Sequence, residues 1–180
     1  MTSTRARADA PVDEEYLRLD HQICFSLHAA ARAFNGVYRV VLKDLGLTYP
    51  QYLVMLVLWE HGELPVKKLG ERLRLDSGTL SPLLKRLEAA GLVRRERSTQ
   101  DERSVRVGPT DAGTALKERA LLVPGRIAAS TGFELEEITA LKARLDLLTR
   151  ALDASALENA PGCAEDAELP AAGRTGGRRT

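Results

Sequence analysis

The chain has 180 residues, 44% of them hydrophobic and 28% charged, with a formal net charge of +1. These values suit a soluble globular protein of one domain with tails and argue against a wholly basic protein, though not against a local basic face. The two cysteines, Cys24 and Cys163, lie too far apart for a disulfide framework or a zinc site, and three scattered histidines suggest no metal. No stretch approaches the roughly 18 apolar residues of a membrane span. The start, MTSTRARADAPVDEEY, lacks an apolar signal core. The expectation is a cytoplasmic protein with reduced thiols and no cofactor.

Aromatics are only 4% while Leu and Ala abound, which favours helix. Residues 1–12 are polar and Pro-containing and read as a disordered tail. From Asp13 to Leu45, apolar residues recur at three- and four-residue steps through Leu17, Cys24, Leu27, Ala31, Phe34, Tyr38 and Val41. One long helix, or two broken near Asn35-Gly36, accounts for this, with Gly46 as the stop. Thr48-Tyr49-Pro50-Gln51 carries a capping box and an early proline, so a second helix starts there. Its run YLVMLVLWEH is apolar on most sides and reads as central and buried.

The stretch 64–107 then offers a short strand at Leu64 and a helix VKKLGERL opened by Pro65. Turn and cap chemistry follows at Asp76-Ser77-Gly78, then a helix TLSPLLKRLEAA with Pro82 assigned to its first turn. Leu92–Arg97 and Ser104–Val107 alternate as half-buried strands around the polar tip SerThrGlnAspGluArg. Thr110-Asp111 caps a further helix that Pro124-Gly125 kinks or breaks. Glu134 to Leu152 forms a last helix with Leu135, Ile138, Leu141, Leu145, Leu148 and Leu152 on one face. The remainder, 153–180, has too few apolar residues to repay ordering and reads as a disordered tail.

Helix, turn, helix and hairpin in that order outline a winged helix-turn-helix, a module that grips duplex DNA. From Lys67 to Arg106 there are eleven Lys/Arg against six Asp/Glu, so positive charge concentrates there. A recognition helix needs small or polar residues where it meets the major groove. Ser77, Thr79, Ser81 and Lys85, with Arg86, answer that need, while Leu80, Leu83, Leu84 and Leu87 face the core. Arg94, Arg95, Arg97, Arg103 and Arg106 populate the wing, where an arginine can enter a narrow minor groove. The expected fold is mainly α: a winged helix-turn-helix (module 64–107) in a domain over 13–152. Long N- and C-terminal dimerisation helices (13–45 and 110–152) and a two-stranded wing complete it.

That arrangement resembles the MarR family of dimeric bacterial regulators, and Asp101-Glu102-Arg103 matches the family's D-x-R wing signature. The resemblance implies that Asp101 braces the wing and Arg103 reaches the minor groove. The stretches LDHQICF (19–25), LTYPQYLVM (47–55) and LLKRLEAAGL (83–92) resemble the organic hydroperoxide resistance regulators (OhrR). The likeness covers about residues 16–150. In that subfamily an N-terminal cysteine senses peroxide and two tyrosines of the partner subunit hydrogen-bond its sulfur. The resemblance assigns these places to Cys24, Tyr38 and Tyr49. Where the subfamily often has a further tyrosine, this chain has His28, which either donates a hydrogen bond to the thiol or has no role.

The chemistry is reasonable on physical grounds. A thiol reacts as its thiolate, and two phenol donors stabilise a charged sulfur. Cys24 is read as about three turns into its helix, where the dipole has faded. Attack on a peroxide gives a sulfenic acid. Phe25, Leu27 and Val54 are expected to make an apolar pocket that favours organic hydroperoxides. Some relatives resolve the oxidised sulfur with a second cysteine near 124–133. None lies there in this chain, so Cys163 in the tail is the candidate resolving thiol, but a one-cysteine course is favoured, in which the sulfenate is capped by a low-molecular-weight thiol or over-oxidised.

The expectation is therefore a homodimeric repressor of double-stranded operator DNA that lets go when Cys24 is oxidised. The rival is a repressor gated by a phenolic ligand at the dimer interface, with Cys24 structural. An enzyme is not expected: a thiol peroxidase needs a recycling thiol pair and leaves the winged module without a purpose.

Overall fold

The computed structural model describes residues 13–97 and 105–158. The chain divides into two compact units at Gly132/Phe133. In the first unit, single-turn 3-10 segments at Glu14–Leu17 and Leu19–His21 precede helix α1, Ile23–Val41. The expected helix from Asp13 therefore starts ten residues later. Local hydrogen bonds compete with it: the Gln22 side-chain amide donates to the carbonyls of Tyr16 and Arg18, and the Arg18 guanidinium pairs with Asp20 at 3.0 Å. α1 runs unbroken through Asn35-Gly36. A 3-10 turn, Lys43–Leu45, follows and ends at Gly46, whose φ of 67° suits a residue without a Cβ.

Helix α2, Tyr49–His61, is the hub, with Tyr52, Val54, Met55 and Leu58 each at 3% exposure or less. Its capping box forms as expected: Gln51 Oε1 accepts the Thr48 N–H at 2.9 Å and the Thr48 hydroxyl at 3.0 Å. After it come β1 (Leu64–Pro65), α3 (Val66–Leu73), α4 (Ser77–Ala89), β2 (Val93–Arg97) and β3 (Val105–Pro109). Leu80, Leu84 and Leu87, at helical spacing, pack onto the same core as Leu69, Val93 and Val107. The turn between α3 and α4 depends on Gly70, where a Cβ would lie 2.8 Å from the Leu75 carbonyl oxygen.

The sheet has three antiparallel strands in the order β1-β3-β2: the two strands of the expected wing and the short strand expected at Leu64. Leu64 pairs with Val107 and Arg95 with Val107's other side, so β3 is the middle strand. Two isolated residues of β1 gave only a weak strand signal in the sequence; long-range pairing makes them one.

Two boundaries in α4 also differ from expectation. Asp76 alone is the N-cap, accepting the Thr79 N–H at 2.9 Å, so Ser77 and Gly78 belong to the first turn. Pro82 is consequently the sixth helical residue and sits in the second turn, where it deprives the Gly78 carbonyl of its backbone donor.

Helix α5, Asp111–Ala120, is capped by Thr110, whose hydroxyl oxygen accepts the Gly113 N–H at 3.0 Å and donates to the Gly91 carbonyl at 2.6 Å. Helix α6, Val123–Thr131, follows a break at Leu121-Leu122, with Pro124 in its first turn. In the second unit, α7 spans Leu135–Glu158. It continues six residues beyond Leu152, into the segment expected to be a disordered tail. Ala154, Ala156, Leu157 and Glu158 are good helix formers, and neither Gly nor Pro intervenes before Pro161. No helix among the described residues is long and apolar enough to cross a membrane.

Candidate nucleic-acid interface and thiol site

α4 presents the expected polar face. Ser77, Ser81 and Lys85 recur every four residues along one exposed stripe, with Arg86 beside them and Thr79 at the opposite margin. Thr79 is not a free hydroxyl: its Oγ1 donates to the Asp76 carboxylate at 2.8 Å. The Thr79 backbone and side-chain donors hold the Asp76 carboxyl below the usual carboxylate range. Thr79 therefore turns lone pairs and a methyl group outward.

The wing arginines divide into two groups. Arg94 pairs with Glu63 at 3.1 Å and Glu96 at 3.3 Å and donates to the Pro109 carbonyl at 2.8 Å. Arg95 is tied to Glu88 of α4, a contact that braces β2 against the helix and holds the Glu88 carboxyl low through the Arg95 hydrogen bond. Arg106 pairs with Glu63 at 2.7 Å. These three guanidiniums are already matched by carboxylates. Arg97 is exposed and makes no ion pair among the described residues. Asp101 and Arg103 lie outside the described residues.

Glu63 and Glu88 are the residues that sequence reasoning missed. Glu63 meets its partners across 31 and 43 positions of sequence, and no local periodicity reveals such a pairing.

Cys24 is exposed and is the second residue of α1, not three turns in. It therefore sits where the helix's unsatisfied N–H groups concentrate partial positive charge. His28 is one turn on along the same face and also exposed. Phe25 and Leu27 flank the cysteine at 41% and 37% exposure. Val54 does not join them. It is fully buried in the core, because α2 turns that face toward α4 and the sheet.

Tyr38 and Tyr49 lie together, their rings stacked with centroids 4.2 Å apart, and Tyr52 adds a third ring 6.0 Å from Tyr38. Burial first, then the neighbouring Tyr49 and Tyr52 phenols, push the Tyr38 hydroxyl up to about 12. It stays a neutral donor at any physiological pH. Neither the Tyr38 nor the Tyr49 hydroxyl makes a hydrogen bond among the described residues. Cys24 and Tyr38 share one continuous helix, fourteen positions apart, which at about 1.5 Å per residue separates them by about 21 Å. A thiol and phenol of the same chain cannot meet across that length. Cys163 lies outside the described residues. Among those described, no group of three or more His, Cys, Asp or Glu side chains is placed to hold a metal ion.

Each unit leaves large apolar side chains uncovered. Ile23, Phe25, Leu27, Phe34 and Val40 of α1, and Leu121 and Leu122 ahead of α6, are exposed at between 37% and 73%. In α7, Leu135, Leu141, Leu145, Leu147 and Leu152 are exposed as well.

The MarR family model matches residues 47–105, the span from the approach to α2 through the wing. The organic hydroperoxide resistance transcriptional regulator of Bacillus subtilis is 46% identical over 138 residues, covering 77% of this chain and 94% of its own. The HTH-type transcriptional regulator TtmR of Methylorubrum extorquens is 51% identical over 154 residues, covering 86% of this chain and 75% of its own. Among solved structures, reduced AbfR bound to DNA superposes with a TM-score of 0.65 at 37% identity, covering 77% of this chain and 96% of that one. The crystal structure of AbfR of Staphylococcus epidermidis is of similar likeness, with a TM-score of 0.63 at 37% identity, covering 78% of this chain and 95% of that one. An identity of 46% spanning 94% of the Bacillus subtilis regulator, together with the match of the family model, places the chain in the MarR family: it is a transcriptional regulator, not an enzyme.

Proposed function

We propose that this regulator is a homodimeric repressor that binds duplex operator DNA when reduced and releases it when an organic hydroperoxide oxidises Cys24. The observation that carries this reading is the separation of Cys24 from the Tyr38–Tyr49 stack by about 21 Å of unbroken helix. An exposed thiol at one end of α1 and two phenols at the other, whose hydroxyls make no hydrogen bond among the described residues, can meet only between two chains. The uncovered apolar faces of α1 and α7 give a second copy something to bury. Two winged modules so joined would meet successive major grooves about 34–36 Å apart. The 46% identity to an organic hydroperoxide regulator supports the same effector class. AbfR, known in reduced, overoxidised and disulfide forms, supports thiol oxidation; its overoxidised form is bound to DNA, so the release proposed here is assigned to the capped sulfur.

In the proposed step the Cys24 thiolate attacks the distal oxygen of ROOH. The S–O bond forms as the O–O bond breaks, sulfur gives up two electrons, and RO⁻ leaves to take a proton as the alcohol. Tyr38 and Tyr49 of the partner subunit donate to the sulfur beforehand, and His28 borders the thiol on its own helix. A low-molecular-weight thiol then caps the sulfenic acid: its sulfur forms an S–S bond to Cys24 as the S–O bond breaks, and the hydroxyl leaves with the incoming thiol's proton as water. Replacing a donor-stabilised anion by a neutral or capped sulfur removes what the phenols were bonded to, and the dimer loses the spacing of its two α4 helices.

The test is operator binding with and without cumene hydroperoxide, for wild type and Cys24→Ser. Wild type is expected to release DNA on oxidation, and the serine variant to hold it. Oxidative release by the serine variant would overturn the proposal. A second reading has one observation in its favour: an open cleft of about 470 Å³ lined by Tyr52, Leu56, Trp59, Lys117, Leu121 and Pro124, which a phenolic ligand fits. It predicts release by ligand in full reducing conditions.

A further inference from the structure

Glu63 stands between the end of α2 and β1, and its carboxylate is shared by both wing strands. Oε1 accepts from Arg106 Nε of β3 at 2.7 Å, and Oε2 accepts from an Arg94 terminal nitrogen of β2 at 3.1 Å. The Glu63 backbone carbonyl takes a second Arg106 donor at 3.1 Å. The sheet register brings these groups to one face, with Arg94 opposite Gly108 and Arg106 opposite Glu96. Gly108 is part of the arrangement, since a Cβ there would lie 3.0 Å from the Glu63 Cβ. The Arg106 hydrogen bond above all, with the Arg106 and Arg94 charges, holds the Glu63 carboxyl below its ordinary range, so the clamp is ionised at neutral pH. Arg94 is further engaged by Glu96 and by the Pro109 carbonyl.

Basic residues on a wing are ordinarily counted as DNA contacts. A guanidinium already bonded to a carboxylate in a fixed geometry gains less from a phosphate than a free one, because the internal charge-assisted bonds must first be released. A carboxylate bonded to two adjacent strands and a third element has a different use: it sets the angle at which the hairpin leaves the body.

We infer that Glu63 is a positioning residue for the wing, fixing its base to the end of α2 and withholding Arg94 and Arg106 from the DNA backbone. The inference rests on the DNA-binding reading above.

The experiment uses the full-length reduced protein and two probes: a duplex selected by wild type from a random library, and a mixed-sequence duplex of equal length. Affinity is measured by fluorescence anisotropy across a salt series for wild type, Glu63→Gln, Arg106→Gln and their double variant, with Lys85→Gln as the reference for a phosphate contact. Glu63→Gln is expected to weaken the selected duplex about tenfold while leaving the mixed-sequence duplex no weaker and the salt slope no shallower. Arg106→Gln should match it, and the double variant should be no worse than either, because both remove one arrangement. Lys85→Gln should weaken both duplexes alike and lower the slope by about 1. Arg106→Gln behaving as Lys85→Gln does would overturn the inference, as would Glu63→Gln leaving the ratio of the two affinities unchanged. Should Glu63→Gln fail to fold, Glu63→Asp, which keeps the charge on a shorter stem, is scored by the same ratio. A wild type that selects and binds no duplex refutes the DNA-binding reading, and the inference with it.

Discussion

The pairing of Cys24 with the partner's tyrosines can be tested by mixing subunits. Fourteen positions of α1 separate Cys24 from Tyr38, about 21 Å, and a phenol side chain spans only about a third of that. In the proposed dimer, then, only the other chain's Tyr38 is available to each thiol. A hydrogen bond to a charged group contributes about 1.5–3 kcal/mol, which corresponds to roughly ten- to a hundredfold in thiolate population. Consider a heterodimer of one chain carrying Cys24→Ser with Tyr38 intact and one carrying Tyr38→Phe with Cys24 intact. If the contact crosses the interface, its sole Cys24 still meets an intact Tyr38 and alkylates at the wild-type rate. If the contact lies within a chain, that Cys24 faces a ring without a hydroxyl and slows by about tenfold or more. The Tyr38→Phe homodimer, slow in both cases, calibrates the scale. The assay is the rate of iodoacetamide labelling at neutral pH, read by intact mass on differentially tagged chains. A heterodimer as slow as the Tyr38→Phe homodimer refutes the trans arrangement. Equal rates in all three would mean that Tyr38 does not bear on the thiol.

Two further outcomes concern stability. Gly113→Ala places a Cβ 2.0 Å from the Leu92 carbonyl oxygen, so α5 must shift, straining the 3.1 Å bond from Thr110 N–H to Leu92 and the 2.8 Å bond from Trp59 Nε1 to Gly113. Two bonds at about 1 kcal/mol each, with overpacking of about 1–3, give a loss of about 3–5 kcal/mol in denaturant unfolding. A loss below about 1 kcal/mol would show that this close approach does not constrain the fold. Tyr38 sets a pH dependence. An unfolded tyrosine ionises near 10, whereas in the fold Tyr38 is pushed up to about 12. Between those values the unfolded chain has released a proton that the native chain retains, so stability falls as pH rises from 10 to 12 and is unaffected by this group below 10. Wild type should therefore lose stability more steeply than Tyr38→Phe in urea titrations across that window; parallel curves would contradict the assignment.

Much of this protein was legible from local chemistry. The Thr48/Gln51 box, the leucine spacing of α4 and the Thr110 cap each rest on residues within a few positions of one another, and each is found where the spacing puts it, whereas α1 ends at Val41 and Gly46 closes only the 3-10 turn after it. The motif order that marks the winged module and the positions of Cys24, Tyr38 and Tyr49 in the chain are likewise sequence information. What tertiary structure decided is everything that depends on distant partners or on competition between local bonds. Gln22 interrupts the amphipathic pattern and moves the helix start to Ile23, which puts Cys24 at the positive end of α1. With Asp76 as the cap, α4 starts two residues earlier than the pattern suggested, which leaves Pro82 inside the helix. Val54 looked available for a pocket and is instead core. Above all, the wing's arginines read in sequence as one basic set. Folding divides them, because Glu63, 31 and 43 positions away, is brought within hydrogen-bonding distance of Arg94 and Arg106, and Glu88, across the turn from α4 to β2, within reach of Arg95. Charge composition is additive along a sequence, but the charge available to a ligand is what remains after internal pairs form, and only the three-dimensional arrangement determines those pairs.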